Sequence, residues 1–195
     1  MAELEGRNRT LFVWGCGNNG RLGLGCEADA VGSTRVEPLA EKRVKQMSAG
    51  HDHTVCLLED GTVLSWGRGS MGCLGLGDLK DRCGPEEVGA LKCHRVVSVS
   101  AGYAHTVFLT ATGQVFTCGL DDCGRLGFGL RFDGANKAML LPQALDLNLG
   151  RPNLAMRIFV LNLAPLTTSP SRQGKAPSEA RNRVECKLSQ VLAVY

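Results

Sequence analysis

The 195-residue sequence has few aromatic residues, 5% in all, and only two tryptophans. It contains no apolar run of about 20 residues, the length that a membrane-spanning helix needs, and the short run Met156–Leu163 falls well below it. No segment before residue 150 repeats its apolar positions every 3.6 residues, so amphipathic helices are not expected. These absences argue against a membrane protein and against a helical bundle.

Motifs that support common catalytic chemistry are also missing. The sequence has no nucleophile elbow, no Walker loop and no pair of carboxylates arranged for acid–base work. It therefore predicts no catalytic residue, no cofactor and no conventional enzyme.

Nine cysteines are many for this length, but they lack the spacing of a metal site, because no C-x-x-C pair occurs. Cys73, Cys83 and Cys93 lie ten residues apart with His94 beside the last, which is only a weak indication of zinc. The N-terminus carries no secretory signal. We therefore expect an intracellular protein, cytoplasmic or nuclear and not secreted, with free thiols and no metal.

Glycine, by contrast, is abundant, with 25 residues, and its spacing first suggests a nucleotide site. The hexapeptide GCGNNG, residues 15–20, satisfies the G-x-G-x-x-G pattern and follows the apolar run Leu11–Trp14. A phosphate-binding loop must open a helix, however, and Gly23 and Gly25 stand where the first helical turns would be. Each glycine costs about 1 kcal/mol relative to alanine inside a helix, so the segment is a poor helix.

The same pattern also recurs at a fixed interval. WGRGSMGCLGLG (66–77) and CGLDDCGRLGFG (118–129) follow the first copy at steps of 52 residues, and the last copy keeps every glycine except the second of the triplet, which is Asp121. A second motif, S-A-G-x-x-H-T-V, begins at Ser48 and again at Ser100. Repetition at this interval is typical of repeat arrays, and the nucleotide fingerprint is therefore a coincidence of glycine spacing.

Each period carries signals for about four short strands. His53–Leu58 is apolar and β-branched, Asp60-Gly61 predicts a type I′ hairpin turn, and Thr62–Trp66 returns as the partner strand. Arg43–Ser48 predicts a third strand.

A fourth strand is expected at Val36–Leu39, with Pro38 at a sheet edge. Pro142 lies two periods after Pro38 and serves as a further marker of the repeat.

The succession of an A-G-x-x-H-T strand, a D-G turn, a W-G dipeptide and a glycine-rich loop resembles the regulator of chromosome condensation repeat family. The resemblance covers residues 11–146 and implies an all-β fold, a β-propeller that typically has seven blades. This chain would hold about 2.5–3 of them. The positions expected to have a structural role in the repeat are Trp14, Gly15, Gly20, Gly23, Gly25, Gly50, His53, Thr54, Trp66, Gly67, Gly72, Gly75, Gly77, Gly102, His105, Thr106, Gly119, Gly124, Gly127 and Gly129.

Two of these residues, His53 and His105, could be taken for bases or metal ligands. They occupy the same place in two repeats, however, whereas a catalytic residue would be unique to one. We expect both to cap backbone groups between strands.

The periodicity divides the chain into a lead (1–10), the repeats (11–146) and a non-repeat tail (147–195). The tail is rich in proline, serine and arginine and is predicted to be mostly disordered. Residues 1–130 carry 13 basic and 15 acidic side chains and residues 131–195 carry 9 and 4, so the net charge of +3 comes from the C-terminal part.

An incomplete ring leaves blade faces in water, so the arc should be marginally stable or should self-associate through its open faces. We expect the chain to be a truncated, alternatively spliced or mis-annotated product of a longer repeat protein.

The function that these features favour is a repeat-built protein-interaction module, since loops on a rigid scaffold carry binding sites. Weak candidates for partner contact are Asn18, Asn19, Asp121 and Asp122, although such loops are mostly solvated surface.

The alternative that the resemblance implies is a guanine-nucleotide exchange factor for a Ran-like small GTPase with chromatin association, with no exchange residue to assign. A plant-type ultraviolet photoreceptor shares the fold but needs clustered tryptophans. Nucleic-acid contact has weak support, because the repeats are slightly acidic and only the tail segment 172–187 is basic.

Overall fold

The computed structural model describes residues 11–121, 124–128 and 138–146, and the backbone of two further strands at 160–165 and 186–192. The described residues form β-strands joined by loops and short 3₁₀ turns. The prediction of an all-β chain is confirmed. Within these ranges, no helix is long and apolar enough to cross a membrane.

The strands fall into four antiparallel sheets. Their bounds are β1 Phe12–Gly15, β2 Ala30–Arg35, β3 Val44–Ala49, β4 His53–Leu58, β5 Val63–Gly67, β6 Arg82–Glu87, β7 Val96–Ala101, β8 His105–Thr110, β9 Val115–Leu120, β10 Ala138–Ala144, β11 Val160–Pro165 and β12 Cys186–Leu192. The 3₁₀ turns span Asn18–Gly20, Glu37–Leu39 and Gly89–Leu91.

Two of these sheets are complete blades. In each, four strands follow one another in chain order, β3-β4-β5-β6 in blade 1 and β7-β8-β9-β10 in blade 2. The pair β1-β2 corresponds to the outer two strands of a blade, since β1 carries the W-G dipeptide that ends β5. The described repeats therefore make two and a half blades, and the predicted partial propeller is confirmed.

The hairpin between β4 and β5 differs from the predicted type I′ turn. Gly61 has a φ of +94°, but Asp60 does not adopt a positive φ, which a type I′ turn would require. The Gly61 N–H donates to the Leu58 carbonyl at 3.1 Å, and the Asp60 carboxylate accepts from the Thr62 N–H at 2.9 Å. These two hydrogen bonds close the turn with Gly61 as its left-handed residue, so Asp60 does not need a left-handed backbone.

The strand predicted at Val36–Leu39 is wrong, because Glu37–Leu39 forms a 3₁₀ turn that Pro38 can begin without losing a hydrogen bond. The fourth strand of each blade is an outer strand, β6 or β10, and each contains a proline, Pro85 or Pro142, which weakens the strand signal.

Pro38 and Pro142 are not equivalent, so the proline marker of the repeat is also wrong. The residues that close the outer strand onto the blade are Val36, Val88 and Leu145, which donate to carbonyls of Leu11, Val63 and Val115 at 3.0, 2.9 and 2.8 Å. Their steps are 52 and then 57 residues, because the paired residues Gly119 and Met139 are 20 positions apart, five more than the equivalent pair Gly67 and Arg82.

The core lies between the blades. One cluster joins the inner residues of blade 1 to blade 2 and includes Val55, Leu57, Val99 and Phe108. A second cluster lies on the other side of blade 1 around Trp66, with Val13 of β1 packed against it. Each blade is therefore stabilised by its neighbours rather than by a core of its own.

Beyond the repeats, β11 and β12 pair antiparallel, with Val160 opposite Leu192 and Pro165 opposite Cys186. This pairing places β-structure at two points of the tail that we predicted to be mostly disordered. The rest of the tail and the lead 1–10 lie outside the described residues, so the domain boundaries stay predictions.

Candidate functional site

Consecutive blades are joined by the glycine-rich loop that follows the W-G dipeptide. The Arg21 carbonyl in the first loop accepts hydrogen bonds from Thr54 Oγ1 at 2.9 Å and from Trp66 Nε1 at 3.0 Å, both in blade 1. Fifty-two residues later the Cys73 carbonyl accepts from Thr106 Oγ1 of blade 2 at 2.7 Å. Three of the residues predicted to be structural, Thr54, Trp66 and Thr106, lie on this inter-blade contact.

His53 extends the same contact. Its Nε2 lies 2.9 Å from Thr106 Oγ1, whose only hydroxyl hydrogen is donated to the Cys73 carbonyl, so His53 Nε2 is the donor. The expectation that this imidazole caps a backbone group is wrong for Nε2, which bonds a side chain of the next blade. A Cβ on Gly50 would lie 2.4 Å from His53 Cε1, so this position needs glycine for close approach.

We expect the folded chain to lose stability in acid because of His53. Burial, and next the charge of His105, lower the pKa of His53 from 6.5 to about 4. Between these two values the unfolded chain takes up a proton that the folded chain refuses, so the free energy of unfolding falls by about 3 kcal/mol as the pH drops from 6.5 to 4. Urea unfolding at a series of pH values measures this slope.

His53→Gln should flatten that slope, because the amide can still donate to Thr106 but does not titrate. His94→Gln is the matched control and should keep it, since His94 is only partly buried and lies against Phe116 on another part of the blade. An unchanged slope in His53→Gln would remove this explanation.

The remaining predicted glycines lie in loops or, for Gly15, Gly67 and Gly119, at the C-terminal ends of β1, β5 and β9. Gly102 donates its N–H to the His105 carbonyl at 2.8 Å, as Gly50 does to His53. Positive φ values are found at Gly15, Gly20, Gly23, Gly25, Gly67, Gly72, Gly75, Gly77, Gly119, Gly124 and Gly127. Gly129 lies outside the described residues.

The two tryptophans, predicted to fill the same structural position, differ in environment. Trp66 is fully buried at 0% exposure, whereas Trp14 is 68% exposed. The difference arises because the first loop covers Trp66, and no described residue lies over Trp14 in the same way.

The loops after β1 and β5 and the turns before β4 and β8 meet at one end of the blades, which we call the loop face. An ionic cluster lies on this face. Asp52 Oδ1 is 2.6 Å from Arg21 Nη2, and Asp52 Oδ2 is 3.1 Å from His51 Nδ1 and 3.4 Å from Arg68 Nη1. The ring of His51 lies 4.4 Å from the ring of Tyr103 in the equivalent turn of blade 2. We call these five residues the Asp52 cluster.

The cluster keeps its carboxylate ionised and its cations at the surface. Partial burial opposes ionisation of Asp52, but the hydrogen bond from His51 and the charges of Arg21 and His51, with Arg68, outweigh it and hold the pKa of Asp52 below its usual value. The side chain of Asp52 is 12% exposed, against 45% for Arg68 and 47% for His51. A partner at this face therefore meets the guanidinium of Arg68 and the imidazole of His51, both held by a buried anion.

The residues predicted to contact a partner differ in their exposure. Asn18 is exposed and its carbonyl accepts from Arg21 Nε at 3.0 Å, while Asn19 is partly buried with a φ of +59°. Asp121 is buried, and its Oδ1 accepts from the Leu126 N–H at 3.1 Å, so the view of Asp121 as solvated surface is wrong. Asp122 lies outside the described residues.

The Asp52 cluster is not predicted by the sequence patterns described above. His51 and Asp52 are the two variable positions of A-G-x-x-H-T in the first copy, and Tyr103 is the first of them in the second. The sequence does contain a signal for these residues. Positions that differ between copies of an otherwise constant motif are not required for the fold of the repeat.

The cysteines do not assemble into a site in the described part of the chain, where no group of three or more potential ligands could hold a metal ion. Cys73 is buried and Cys93 exposed, and burial raises the pKa of the Cys73 thiol to about 12. The expectation of no metal stays a prediction.

Comparison with known proteins agrees with the repeat geometry. The profile of the regulator of chromosome condensation (RCC1) repeat matches residues 10–57 and 60–109, and a second profile of the same repeat matches 44–73 and 96–125. The chain belongs to the RCC1 repeat family. The predictions of the family and of an RCC1-type interaction module are confirmed, whereas the expectation that the chain is no enzyme stays a prediction.

Its relatives are much longer than the matched region. The chain is 40% identical over 132 residues to the human probable E3 ubiquitin-protein ligase HERC3. The matched residues make up 67% of this chain and 13% of that protein. It is 37% identical over 116 residues to the ultraviolet-B receptor UVR8 of Arabidopsis thaliana, or 60% of this chain and 26% of that protein. The chain therefore spans about a quarter or less of either relative.

A solved structure shows the same fold. The crystal structure of Prp20p from Saccharomyces cerevisiae superposes with a TM-score of 0.61 at 19% identity, over 80% of this chain and 37% of that one. At this identity the likeness supports the propeller architecture only.

Proposed function

We propose that this RCC1-repeat module binds a protein partner through its loop face, with the Asp52 cluster at the centre of the contact. The observation that carries the proposal is the arrangement of Arg68, His51 and Tyr103 at the surface above a buried carboxylate. Loops on a rigid scaffold present such groups without the entropy cost of ordering a flexible segment.

The cluster is fixed in place by backbone contacts as well as by charge. Arg21 donates to the His51 carbonyl at 3.2 Å, and the Arg68 N–H donates to the Asp52 carbonyl at 2.8 Å. These bonds join the first loop, the turn before β4 and the loop after β5, so the face behaves as one surface spanning the half blade and blade 1.

The charges favour an acidic partner surface. Arg21 and Arg68 together carry one more charge than Asp52 neutralises, and the exposed His51 adds a donor. Arginine and tyrosine are enriched at the energetic centres of protein interfaces, and arginine pairs bidentately with carboxylates. We therefore expect contact with carboxylate side chains of a protein.

Charge reversal tests this proposal. Partners captured by the tagged chain and identified by mass spectrometry would be produced separately, and each affinity measured by calorimetry. Arg68→Glu is expected to weaken binding at least about tenfold, because it places an anion beside Asp52 and against the partner's carboxylates.

Lys92→Glu and Arg95→Glu are the matched controls, since both residues are exposed on the connection between β6 and β7 at the opposite end of the blades. They should leave the affinity unchanged. Equal weakening by reversals at both ends would point to general charge attraction and overturn the proposed site.

A narrower candidate function is nucleotide exchange on a Ran-like small GTPase. It is supported by the likeness to Prp20p, which binds Gsp1p and histones, and it would suit a cytoplasmic or nuclear location. Release of a fluorescent GDP analogue from such a GTPase should accelerate on adding the chain. Release at the intrinsic rate with the chain in large excess would remove this candidate and leave the interaction module untouched.

A further inference from the structure

Each inter-blade contact joins a glycine-rich loop to the residue of the next blade that the loop covers. In this chain one such residue lacks a covering loop among the described residues, and one loop lacks a described blade to cover. Trp14 stands at the position that a loop covers in the other repeats. Residues 124–128 belong to the loop that covers the next blade in the other repeats. The two lie at opposite ends of the described repeats.

The covered form of the contact is seen at Trp66. The Arg21 carbonyl accepts its indole N–H at 3.0 Å, and Gly23 lies flat against the ring, where a Cβ would come within 2.7 Å of Nε1. Leu24, next in the loop, packs against the cluster that contains Trp66. The contact thus combines one hydrogen bond, one glycine surface and one apolar side chain.

The chain repeats this contact one blade later. The Cys73 carbonyl lies 3.6 Å from Cys118 Sγ, and a Cβ on Gly75 would lie 3.1 Å from the same sulfur. Leu76, the equivalent of Leu24, packs against the cluster that contains Cys118. The contact therefore tolerates a change of side chain while keeping its backbone geometry.

At the N-terminal end the surface for such a loop is open. Phe12 and Trp14, two residues apart on β1, are 49% and 68% exposed, and Val31 on β2 is fully exposed beside the buried Ala30. Side chains two apart on a strand share a face, and neighbours point to opposite faces, so all three lie on the side away from blade 1. The edge segment Leu11–Gly15 carries no charge or proline that would oppose association.

At the other end the two glycines of the loop are exposed, whereas Leu126 is buried and Phe128 is partly buried. Gly20 and Gly23 of the first loop are buried, as are Gly72 and Gly75 of the second, whereas Gly124 and Gly127 of the third are exposed. Arg125 follows Gly124 as Arg21 follows Gly20, and Phe128 takes the place of Leu24.

We propose that copies of this chain associate head to tail, with the Gly124–Phe128 loop of one copy covering Trp14 of the next. The Arg125 carbonyl would accept the Trp14 indole N–H, and Phe128 would pack beside it. Because the two surfaces differ, the contact is heterologous and builds chains or a closed ring rather than an isolated two-fold dimer.

Analytical ultracentrifugation of the full chain tests the proposal over roughly 1 to 200 µM, where a contact of moderate affinity becomes populated. The average mass should rise with concentration, and the emission of the exposed Trp14 should shift to the blue, read against a Trp14→Phe variant that retains Trp66 alone. Trp14→Asp and Phe128→Asp should each be monomeric.

An equimolar mixture of these two variants provides the decisive result. Trp14→Asp keeps an intact loop and Phe128→Asp keeps an intact Trp14, so the mixture should form a dimer that neither variant forms alone. Leu79→Asp, at an exposed residue outside both surfaces, should associate like the parent chain. A parent chain that stays monomeric throughout, or a Phe128→Asp variant that still associates through Trp14, would overturn the proposal.

Discussion

Replacing Trp66 by alanine is expected to lower the free energy of unfolding by about 4 kcal/mol, most of the stability of a small domain. Trp66 is fully buried between the first loop and blade 1, and its indole N–H donates to the Arg21 carbonyl. The variant loses that contact and leaves a cavity where the half blade meets blade 1. Urea unfolding followed by far-UV circular dichroism measures the change.

The chain supplies its own control for this prediction in Trp14, the equivalent residue one period earlier. Trp14→Ala removes the same side chain from the same motif, but at 68% exposure it should cost less than about 0.5 kcal/mol in dilute solution. Equal losses in the two variants would mean that the tryptophan stabilises its own strand rather than the contact between blades.

This comparison also shows how far the sequence could predict the structure. The period, the inner strands and the W-G positions follow from patterns within one repeat, because each blade is built from local hairpins. The outer strands β2, β6 and β10 do not follow from these patterns, since β2 and β6 are largely polar and β6 and β10 each contain a proline. Exposure of Trp14 was also beyond the sequence, because it depends on which loop lies against the residue.

The candidate site was harder to predict than the fold for a related physical reason. Asp52 receives Arg68 from the loop after β5 of its own blade and His51 from the preceding position in the chain. Its third partner, Arg21, reaches it only because the half blade stacks on blade 1. Asp121 shows the opposite error. It replaces the second glycine of the loop, Gly69 in the preceding repeat, and its position in a loop predicts a solvated side chain. Its carboxylate instead turns inward and accepts a backbone N–H.

The second large effect is expected at the W-G glycines, where close approach and left-handed backbone coincide. Gly67 has a φ of +107°, and a Cβ there would lie 2.4 Å from the Asp52 carbonyl oxygen. Gly67→Ala therefore combines backbone strain with a clash against the turn that carries the Asp52 cluster. We expect a loss of about 4 kcal/mol in unfolding free energy or no soluble folded protein.

Gly15→Ala separates these two causes. Gly15 has nearly the same φ, +106°, but a Cβ there would meet no atom within 4 Å, so only the strain of about 1–2 kcal/mol applies. Gly119→Ala should behave like Gly67→Ala, since its Cβ would lie 2.4 Å from the Ala104 carbonyl oxygen. If all three substitutions cost the same, backbone conformation alone fixes these glycines. If Gly15→Ala is clearly the mildest, the turn before the buried histidine of each complete blade requires glycine because the two backbones touch.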